Sequence, residues 1–356
     1  MIKAKCPTKK FKVLLKNKYV TKSNLHRITS ICKFVIALLF FYNKVEAQNS
    51  SVSFITAYGY DSCVLLKNNT TEVVLEPNAG GRVIRYAYKG VNVLYEDSLQ
   101  NGWISTAKMP RSKGHLAGGR FDIGPSRTKP NTDLFFFGKW KAIITGKLSA
   151  RLISQIDTLT NIFLIRDFTL DERTSKLRCT QTIVNKGSKP FAASFWSRTF
   201  ANGNGICVMP VPVLSRFPNK YIMFMNRDTI NMFPKDANIY TENNHLIIKG
   251  SPQKPKLEMD VAAPAWIAYA ETNDLLFVKK FRVDTNKLYG DVTAANTSIW
   301  YNGTQMTEIE PIGPMETILP GKKVSFTEEW FIMPFEFPAN RVADVEKIKN
   351  IVLSVK

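Results

Sequence analysis

The feature that most constrains the fold is a long succession of short β-type runs with turn residues between them. Three early runs, Ser51–Ala57, Thr71–Glu76 and Arg82–Tyr88, are rich in β-branched and aromatic residues. Later runs alternate apolar with polar residues, as a strand with one buried face requires. Only Asn340–Val352 spaces its apolar residues as a single helical stripe. The sequence therefore predicts an all-β fold of antiparallel sheets with a short C-terminal helix.

The strand pattern is interrupted in one long segment. Residues Trp103–Asp133 carry many glycines, prolines and basic residues with little periodicity, which predicts a long loop. Beyond it the predicted strands are 150–156, 177–183, Phe191–Phe200, Leu246–Lys249, Trp266–Ala270 and Leu275–Arg282. No repeat of 20–50 residues is visible, so residues 48–356 are predicted to form one domain.

Residues 1–47 have the pattern of a secretory signal rather than of a folded segment. A lysine-rich stretch precedes the apolar run Phe34–Tyr42, and Ala47-Gln48 follows as a small-residue cleavage site. The apolar run is too short to cross a bilayer, which needs about 20 apolar residues. We therefore expect a periplasmic or secreted mature chain that begins near Gln48 and has no stable membrane span, although the leader is longer than export requires.

The net charge is a weak guide to partners. The leader holds ten lysines, one arginine and one glutamate, and so contributes half of the formal net charge of +20. The remaining positive charge is spread without a dense basic cluster, whereas nucleic-acid binding needs a concentrated stripe. We therefore expect no nucleic-acid partner. Weak attraction to acidic glycans stays open.

The cysteines and histidines argue against a metal centre. After the leader the chain keeps Cys63, Cys179 and Cys207, an odd number that permits at most one disulfide. No Cys-x-x-Cys pair occurs, and the histidines are far apart along the sequence. The sequence predicts no metal site and no cofactor.

Glu308 and Glu310 are the first candidates for chemistry. They flank Ile309 in a predicted strand, so both carboxyl groups project to the same side while Ile309 faces a core. Pro311 and Gly313 then end the ladder, which places the acids near a strand end. Such a pair suits acid–base work or hydroxyl binding. The alternative is a solvated edge strand whose glutamates only keep it soluble.

Two further groups could line a ligand site. The loop 114–125 concentrates His115, Arg120, Asp122 and four glycines, but its spacing matches no phosphate-binding fingerprint, and a basic surface loop is the alternative. Trp196 and Arg198 share a strand face, which suits a sugar: an aromatic plate and a fork of donors. The alternative is a core tryptophan beside a surface arginine.

A weaker group of the same kind is Asp260 with Trp266 and Tyr269, for which the same two interpretations hold. A serine-hydrolase elbow is absent, because no Gly-x-Ser-x-Gly occurs.

Three segments resemble the galactose mutarotase-like (aldose 1-epimerase) superfamily. Its opening hairpin resembles NAGGRVIRYAYKGVNVLYED, its central ladder resembles FLIRDFTLDERTSKLRCTQTIVNKGSKPFAASFWSRTFA, and its closing segment resembles IEPIGPMETILPGKKVSFTEEWFI. The run GGRFDIGP together with EIEPIGPMETILPG looks most similar to the DUF4380-type branch of exported bacterial proteins. The resemblance covers nearly all of residues 52–335 through short, degenerate motifs.

The resemblance implies a β-supersandwich with a sugar-binding cleft. In such mutarotases a glutamate takes the anomeric hydroxyl proton and a histidine protonates the ring oxygen. Glu310 matches the family's glutamate through the Ile-Glu-Pro triplet and would be the base. Where the histidine is expected the chain has Arg198, which stays protonated. His115 lies in a loop that often holds a cleft residue, but LAGGRF is not the family's Leu-His-Gly-Gly.

These observations predict an exported carbohydrate-binding protein with Glu310 as the catalytic residue if anomers are interconverted. The predicted substrate-binding residues are Arg82, His115, Arg120, Asp122, Trp196, Arg198 and Glu308. The alternative is a non-catalytic glycan-binding or accessory module associated with polysaccharide degradation. A polysaccharide lyase or hydrolase partner domain is a third, weaker hypothesis, because no second catalytic domain is attached.

Overall fold

This computed structural model describes residues 50–109, 116–125, 133–226 and 229–355, and the period-two runs form antiparallel strands within these ranges. These residues belong to one unit, Asn49–Lys356. The predicted leader, residues 1–47, lies outside the described residues, and so does His115.

The strands in chain order are β1 Ser51–Ala57, β2 Tyr60–Lys67, β3 Thr71–Glu76, β4 Arg82–Tyr88, β5 Val91–Asn92, β6 Gly119–Gly124, β7 Lys141–Gly146, β8 Ser149–Ile153, β9 Ile162–Leu170, β10 Leu177–Asn185, β11 Phe191–Asn202, β12 Ile206–Pro210, β13 Tyr221–Phe224, β14 Ile230–Asn231, β15 Ile239–Glu242, β16 His245–Ile248, β17 Lys256–Met259, β18 Ala265–Glu271, β19 Leu275–Phe281, β20 Thr297–Asn302, β21 Met306–Pro311, β22 Glu316–Ile318 and β23 Lys323–Pro334. The helices are α1 Asp133–Phe137 and α2 Val345–Ser354, and a 3₁₀ turn spans Ser98–Gln100.

The strands form two large sheets. The larger sheet has the order β1-β2-β3-β4-β6-β11-β21-β20-β17-β13-β14, with β5 paired to β4 and β22 paired to β11. The smaller sheet has the order β15-β16-β12-β18-β19-β23-β10-β9-β8-β7. Two antiparallel sheets with one short C-terminal helix confirm the predicted fold class.

The main core lies between the two sheets. Phe121 and Phe195 of the larger sheet stack at 5.9 Å between ring centroids, and Phe195 stacks at 5.7 Å on Phe326 of β23. Aromatic side chains bury a large apolar area, so these contacts join the two layers firmly. Along β11 the side chains alternate: Phe195 enters this core while Trp196 and Arg198 point to the other side of the sheet.

The helix α2 covers the outer side of the smaller sheet. Val345, Ile348 and Val352 pack there in a second apolar cluster with Trp266 of β18 and Phe331 of β23. This helix is shorter at its start than the predicted Asn340–Val352. The side chain of Asp344 caps it by accepting a hydrogen bond from the Lys347 N–H at 2.9 Å, and Arg341 has a left-handed φ of 57° that no helix continues through.

The prediction of an unbroken loop over Trp103–Asp133 is wrong. Gly119–Gly124 is a strand, β6, at the centre of the larger sheet, where it pairs with β11 at six positions. Its polar residues Arg120 and Asp122 alternate with the core residues Phe121 and Ile123. This period of two was present in the sequence, but two charged side chains concealed a strand that is buried on both faces.

The three described cysteines, Cys63, Cys179 and Cys207, are all buried and free. Burial raises the pKa of the Cys63 thiol to about 12 and that of Cys179 to about 11. No helix in the described part of the chain is long and apolar enough to span a membrane.

Candidate functional site

Four of the predicted site residues form one cluster, in which three carboxyl groups surround the guanidinium of Arg198. Arg198 lies on β11, between β6 and β21. Its Nε donates to Glu308 Oε1 at 2.7 Å and to Glu310 Oε1 at 2.9 Å. Its Nη2 donates to Glu308 Oε2 at 3.1 Å, and its Nη1 donates to Asp122 Oδ2 at 3.2 Å. Every guanidinium nitrogen of Arg198 therefore has a carboxylate partner.

Arg198 is the accessible member of this group. Its side chain is 23% exposed, whereas the whole residues Asp122, Glu308 and Glu310 are only 3%, 1% and 2% exposed. The alternative of a solvated edge strand is wrong for Glu308 and Glu310, because β21 lies inside the sheet between β11 and β20. A ligand that approaches from solvent meets the guanidinium before it meets the carboxyl groups.

The environment separates the two glutamates in their affinity for a proton. Burial raises the pKa of Glu308 to about 8, against the attraction of Arg198. Burial also acts to raise the pKa of Glu310, but Arg198 and Lys256 outweigh it and hold that pKa below its ordinary value. The two carboxyl groups titrate as a coupled pair, in which Glu310 is the group that the neighbouring cations keep ionised. Two carboxyl groups with separated pKa values are the arrangement that acid–base catalysis uses.

Lys256 and Glu258 of β17 extend the cluster across the sheet. Cross-strand pairing places Lys256 opposite Trp300, which is opposite Glu308, so these side chains share a face. We call the side of the larger sheet that carries Asp122, Arg198, Glu308, Glu310 and Lys256 the charged face.

Several contacts hold Lys256 and Glu258 in place. The Lys256 ammonium lies 3.0 Å from Glu258 Oε1, and Thr293 Oγ1 donates to the other oxygen of Glu258. Burial raises the pKa of Glu258 to about 7 against the attraction of Lys256, and the neighbouring Asp291 contributes to that rise. Sequence reasoning missed this part of the site, although Lys256-Leu257-Glu258 has the same charged–apolar–charged spacing as Glu308-Ile309-Glu310.

The fold and the charged face can be compared with known proteins. No protein-family model matches the chain, and no curated protein does. Among solved structures, a galactose mutarotase-like protein from Clostridium acetobutylicum superimposes with a TM-score of 0.55 at 12% identity, over 80% of this chain and 99% of that one. A galactose mutarotase-like protein from Lactobacillus casei gives 0.53 at 10% identity, over 76% and 100%. A galactose mutarotase-related enzyme from Lactobacillus acidophilus gives 0.51 at 10% identity, over 76% and 97%.

This chain has the galactose mutarotase-like fold. The fold of the suggested superfamily is confirmed, because this two-sheet antiparallel chain covers 97–100% of each of the three structures at 10–12% identity. The narrower DUF4380-type branch stays a prediction.

Within the mutarotase-like fold, Trp196 does not present a free ring to solvent. The residue is 6% exposed, and its ring lies under two cations, 5.2 Å from the Lys256 ammonium and 5.9 Å from the Arg198 guanidinium carbon. Its indole Nε1 has no hydrogen-bond partner among the described residues. The predicted aromatic plate is therefore present on the charged face, but cationic side chains cover it.

Arg120 and Arg82 lie on neighbouring strands of the mutarotase-like sheet and differ in their partners. Arg120 is 3% exposed, and its Nη2 is 3.9 Å from Asp122 Oδ2, so it adjoins the Arg198 cluster. Arg82 is held by Glu76 at 3.1 Å and donates to the Ala117 carbonyl at 2.9 Å and to the Tyr60 hydroxyl at 3.1 Å. The hydrogen bonds of Arg82 are therefore used by protein groups near the β3–β4 turn. Its predicted role in ligand binding gains no support from this geometry.

Asp260, Trp266 and Tyr269 do not gather at the charged face. Asp260 forms a two-pronged ion pair with Arg216, at 2.8 Å for each oxygen. Trp266 and Tyr269 are buried in β18 of the smaller sheet. In the described residues no group of three or more His, Cys, Asp or Glu side chains is arranged to hold a metal ion.

Proposed function

We propose that this chain is an exported protein that binds a carbohydrate on its charged face. The observation that carries the proposal is a set of enclosed polar atoms that have no hydrogen-bond partner in the described chain. Four of them are Arg120 Nε, Trp196 Nε1, Asp122 Oδ1 and Asp291 Oδ1. A buried polar atom without a partner costs about 1–3 kcal/mol, so native proteins retain such atoms mainly where a ligand or water satisfies them.

A sugar is the ligand class that fits this set. Two of the atoms are donors and two are acceptors, and a sugar hydroxyl can both donate and accept. The side chains of Arg198 and Lys256, which are 23% and 29% exposed, lie on the solvent side of the site. Turning the flexible side chain of Lys256 outward uncovers the Trp196 ring for a sugar, while Arg198 keeps its carboxylate partners. Export rests on the sequence pattern of residues 1–47.

The binding proposal predicts saturable binding of a sugar that depends on Asp122. Asp122→Asn keeps the shape of the side chain but replaces one acceptor by a donor, so we expect affinity to fall about tenfold. Isothermal titration over a panel of neutral, amino and acidic sugars measures this. Asp167→Asn is the matched control, because Asp167 also pairs with an arginine, Arg151, on the other sheet. Equal affinity in both variants, or no binding at all, would refute the proposal.

A narrower proposal is that the site interconverts sugar anomers. Glu310, ionised at neutral pH, takes the proton of the anomeric hydroxyl, and Glu308, still protonated, gives a proton to the ring oxygen; Glu308 thereby replaces the missing histidine. The separated pKa values of the two glutamates favour this reaction. The burial of Glu310, at 2% exposed, favours the alternative of a non-catalytic glycan-binding module.

Polarimetry of freshly dissolved sugars distinguishes these two candidates. The catalytic version predicts faster anomer interconversion, lost in Glu310→Gln and declining as the pH rises through about 8, where Glu308 gives up its proton. The non-catalytic version predicts no acceleration for any sugar, together with binding that survives Glu310→Gln.

A further inference from the structure

The ammonium of Lys256 sits in a box that has the chemistry of an amine-binding site. It lies 5.2 Å from the centroid of the Trp196 ring and 4.5 Å from that of Phe224. Glu258 Oε1 is 3.0 Å away. Burial acts to lower the pKa of Lys256, but Glu258, Glu310 and Asp291 outweigh it and raise that pKa. We call Trp196, Phe224, Glu258 and Asp291 the ammonium box, because aromatic faces and carboxylates together recognise ammonium groups.

Carboxyl groups outnumber cations around the ammonium box. Among the described residues, the charged face and the adjoining loop carry five carboxyl groups but three cations. The acids are Asp122, Glu258, Asp291, Glu308 and Glu310, and the cations are Arg120, Arg198 and Lys256. Arg216 of a neighbouring loop does not change this balance, because it is paired with Asp260.

Two local observations show where an ammonium group from outside the chain would go. Asp291 is 8% exposed, its carboxyl group lies beside that of Glu258, and its Oδ1 has no donor in the described chain. The Lys256 side chain is 29% exposed and ends a flexible four-carbon stem, so it can leave the box for water.

We propose that the charged face takes a sugar with an ammonium group, a hexosamine, whose ammonium replaces that of Lys256 in the ammonium box. The inference rests on the proposed function and names its substrate class. A uronic acid fits less well, because all three nitrogens of Arg198 already have carboxylate partners. A metal ion fits less well, because the described residues contain no metal-binding group.

Glu258 keeps an ammonium partner whether Lys256 or a ligand supplies it. Burial raises the pKa of this carboxyl group to about 7, Lys256 opposes that rise, and Asp291 adds to it. Thr293 donates to Glu258 Oε2, and Arg216 is the other cation near it. A ligand ammonium in the place of Lys256 opposes the rise in the same way, so the exchange leaves the charge beside Glu258 unchanged.

The test is a titration of the full chain with glucosamine and galactosamine, their N-acetyl forms, the parent hexoses and the corresponding uronic acids. We expect the free amines to bind about tenfold more tightly than the N-acetyl forms. Lys256→Met removes the competing ammonium and should increase that preference further. Lys280→Met is the matched control, since Lys280 also lies over an aromatic ring, Phe331 at 5.5 Å, but on the smaller sheet.

A second variant keeps the test valid if Lys256→Met does not fold. Phe224→Leu retains an apolar side chain but removes one ring of the box, and should lower affinity for the amines while leaving the parent hexoses unaffected. Binding of the parent hexoses without preference for the amines, or tighter binding of uronic acids, would overturn the inference and leave the proposed function intact. Absence of binding by every sugar would overturn both.

Discussion

Arg198→Met is expected to destabilise the fold by about 3–5 kcal/mol at neutral pH, because it leaves buried carboxylates without their cation. Asp122, Glu308 and Glu310 all bond to this guanidinium, and none of the three is more than 3% exposed. The same change should abolish sugar binding at the charged face. Urea unfolding midpoints of the wild type and the variant measure the loss of stability.

The loss should depend on pH in a defined direction. In the wild type the pKa of Glu308 is raised to about 8, so its contribution to stability is complete below its unfolded pKa and declines as pH rises through 8. The pKa of Glu310 is lowered, burial being outweighed mainly by Arg198, so its contribution is present above the unfolded pKa and lost on acidification. Without Arg198 the pKa of Glu310 rises too. The deficit of the variant is therefore largest near pH 8 and smaller near pH 5.

Arg151→Met provides the control for Arg198→Met. Arg151 and Asp167 form a two-pronged pair at 2.6 and 3.2 Å, but their side chains are 42% and 35% exposed. Water screens such a pair, so the expected loss is less than about 1 kcal/mol. Equal losses in the two variants, or a loss for Arg198→Met that is the same at both pH values, would contradict the account of the cluster.

Lys279→Met should also lower stability by about 3–5 kcal/mol. Lys279 lies on β19 of the smaller sheet and is fully buried between the sheets. Its ammonium is 2.9 Å from Glu328 Oε2 and donates at 3.0 Å to the hydroxyl groups of Ser197 and Thr199. The latter two residues flank Arg198 on β11. The ion pair therefore anchors the core-facing side of β11, and the opposite side of β11 carries Arg198 on the charged face.

A double-mutant cycle identifies the source of that loss. Glu328→Gln keeps an oxygen that can accept from the Trp330 indole, which now donates to Glu328 at 2.9 Å. In the Lys279→Met background this second change should restore part of the stability, because it removes the uncompensated charge. Strictly additive losses would show that packing rather than charge accounts for the effect of Lys279→Met.

Most of the architecture could be predicted from the sequence, because its information is local. The run 71–76 is rich in β-branched residues and the run 177–183 alternates apolar and polar residues, and both lie in strands with those limits or slightly longer ones. The strand β6 could not be recognised in the same way. Its charged residues look exposed until a partner from far along the chain, Arg198, is known to neutralise Asp122.

The candidate site was predictable in part for a related reason. A period of two places Glu308 beside Glu310 and Trp196 beside Arg198, and each pair could be assigned to one strand face. What brings the two pairs together is the pairing of β11 with β21, more than 100 residues apart, and no local pattern specifies it.

The alternation along β11 has a consequence for how this molecule acquires affinity. One side of β11 carries Trp196 and Arg198, and the other carries Phe195, Ser197 and Thr199. A shift of β11 by one residue would exchange its two sides. The Arg198 guanidinium would then enter the apolar core, and the Phe195 ring would face water. Chains whose strands are misaligned therefore cannot bind the ligand. Ligand binding by a newly synthesised chain would indicate that its sheets have the native register.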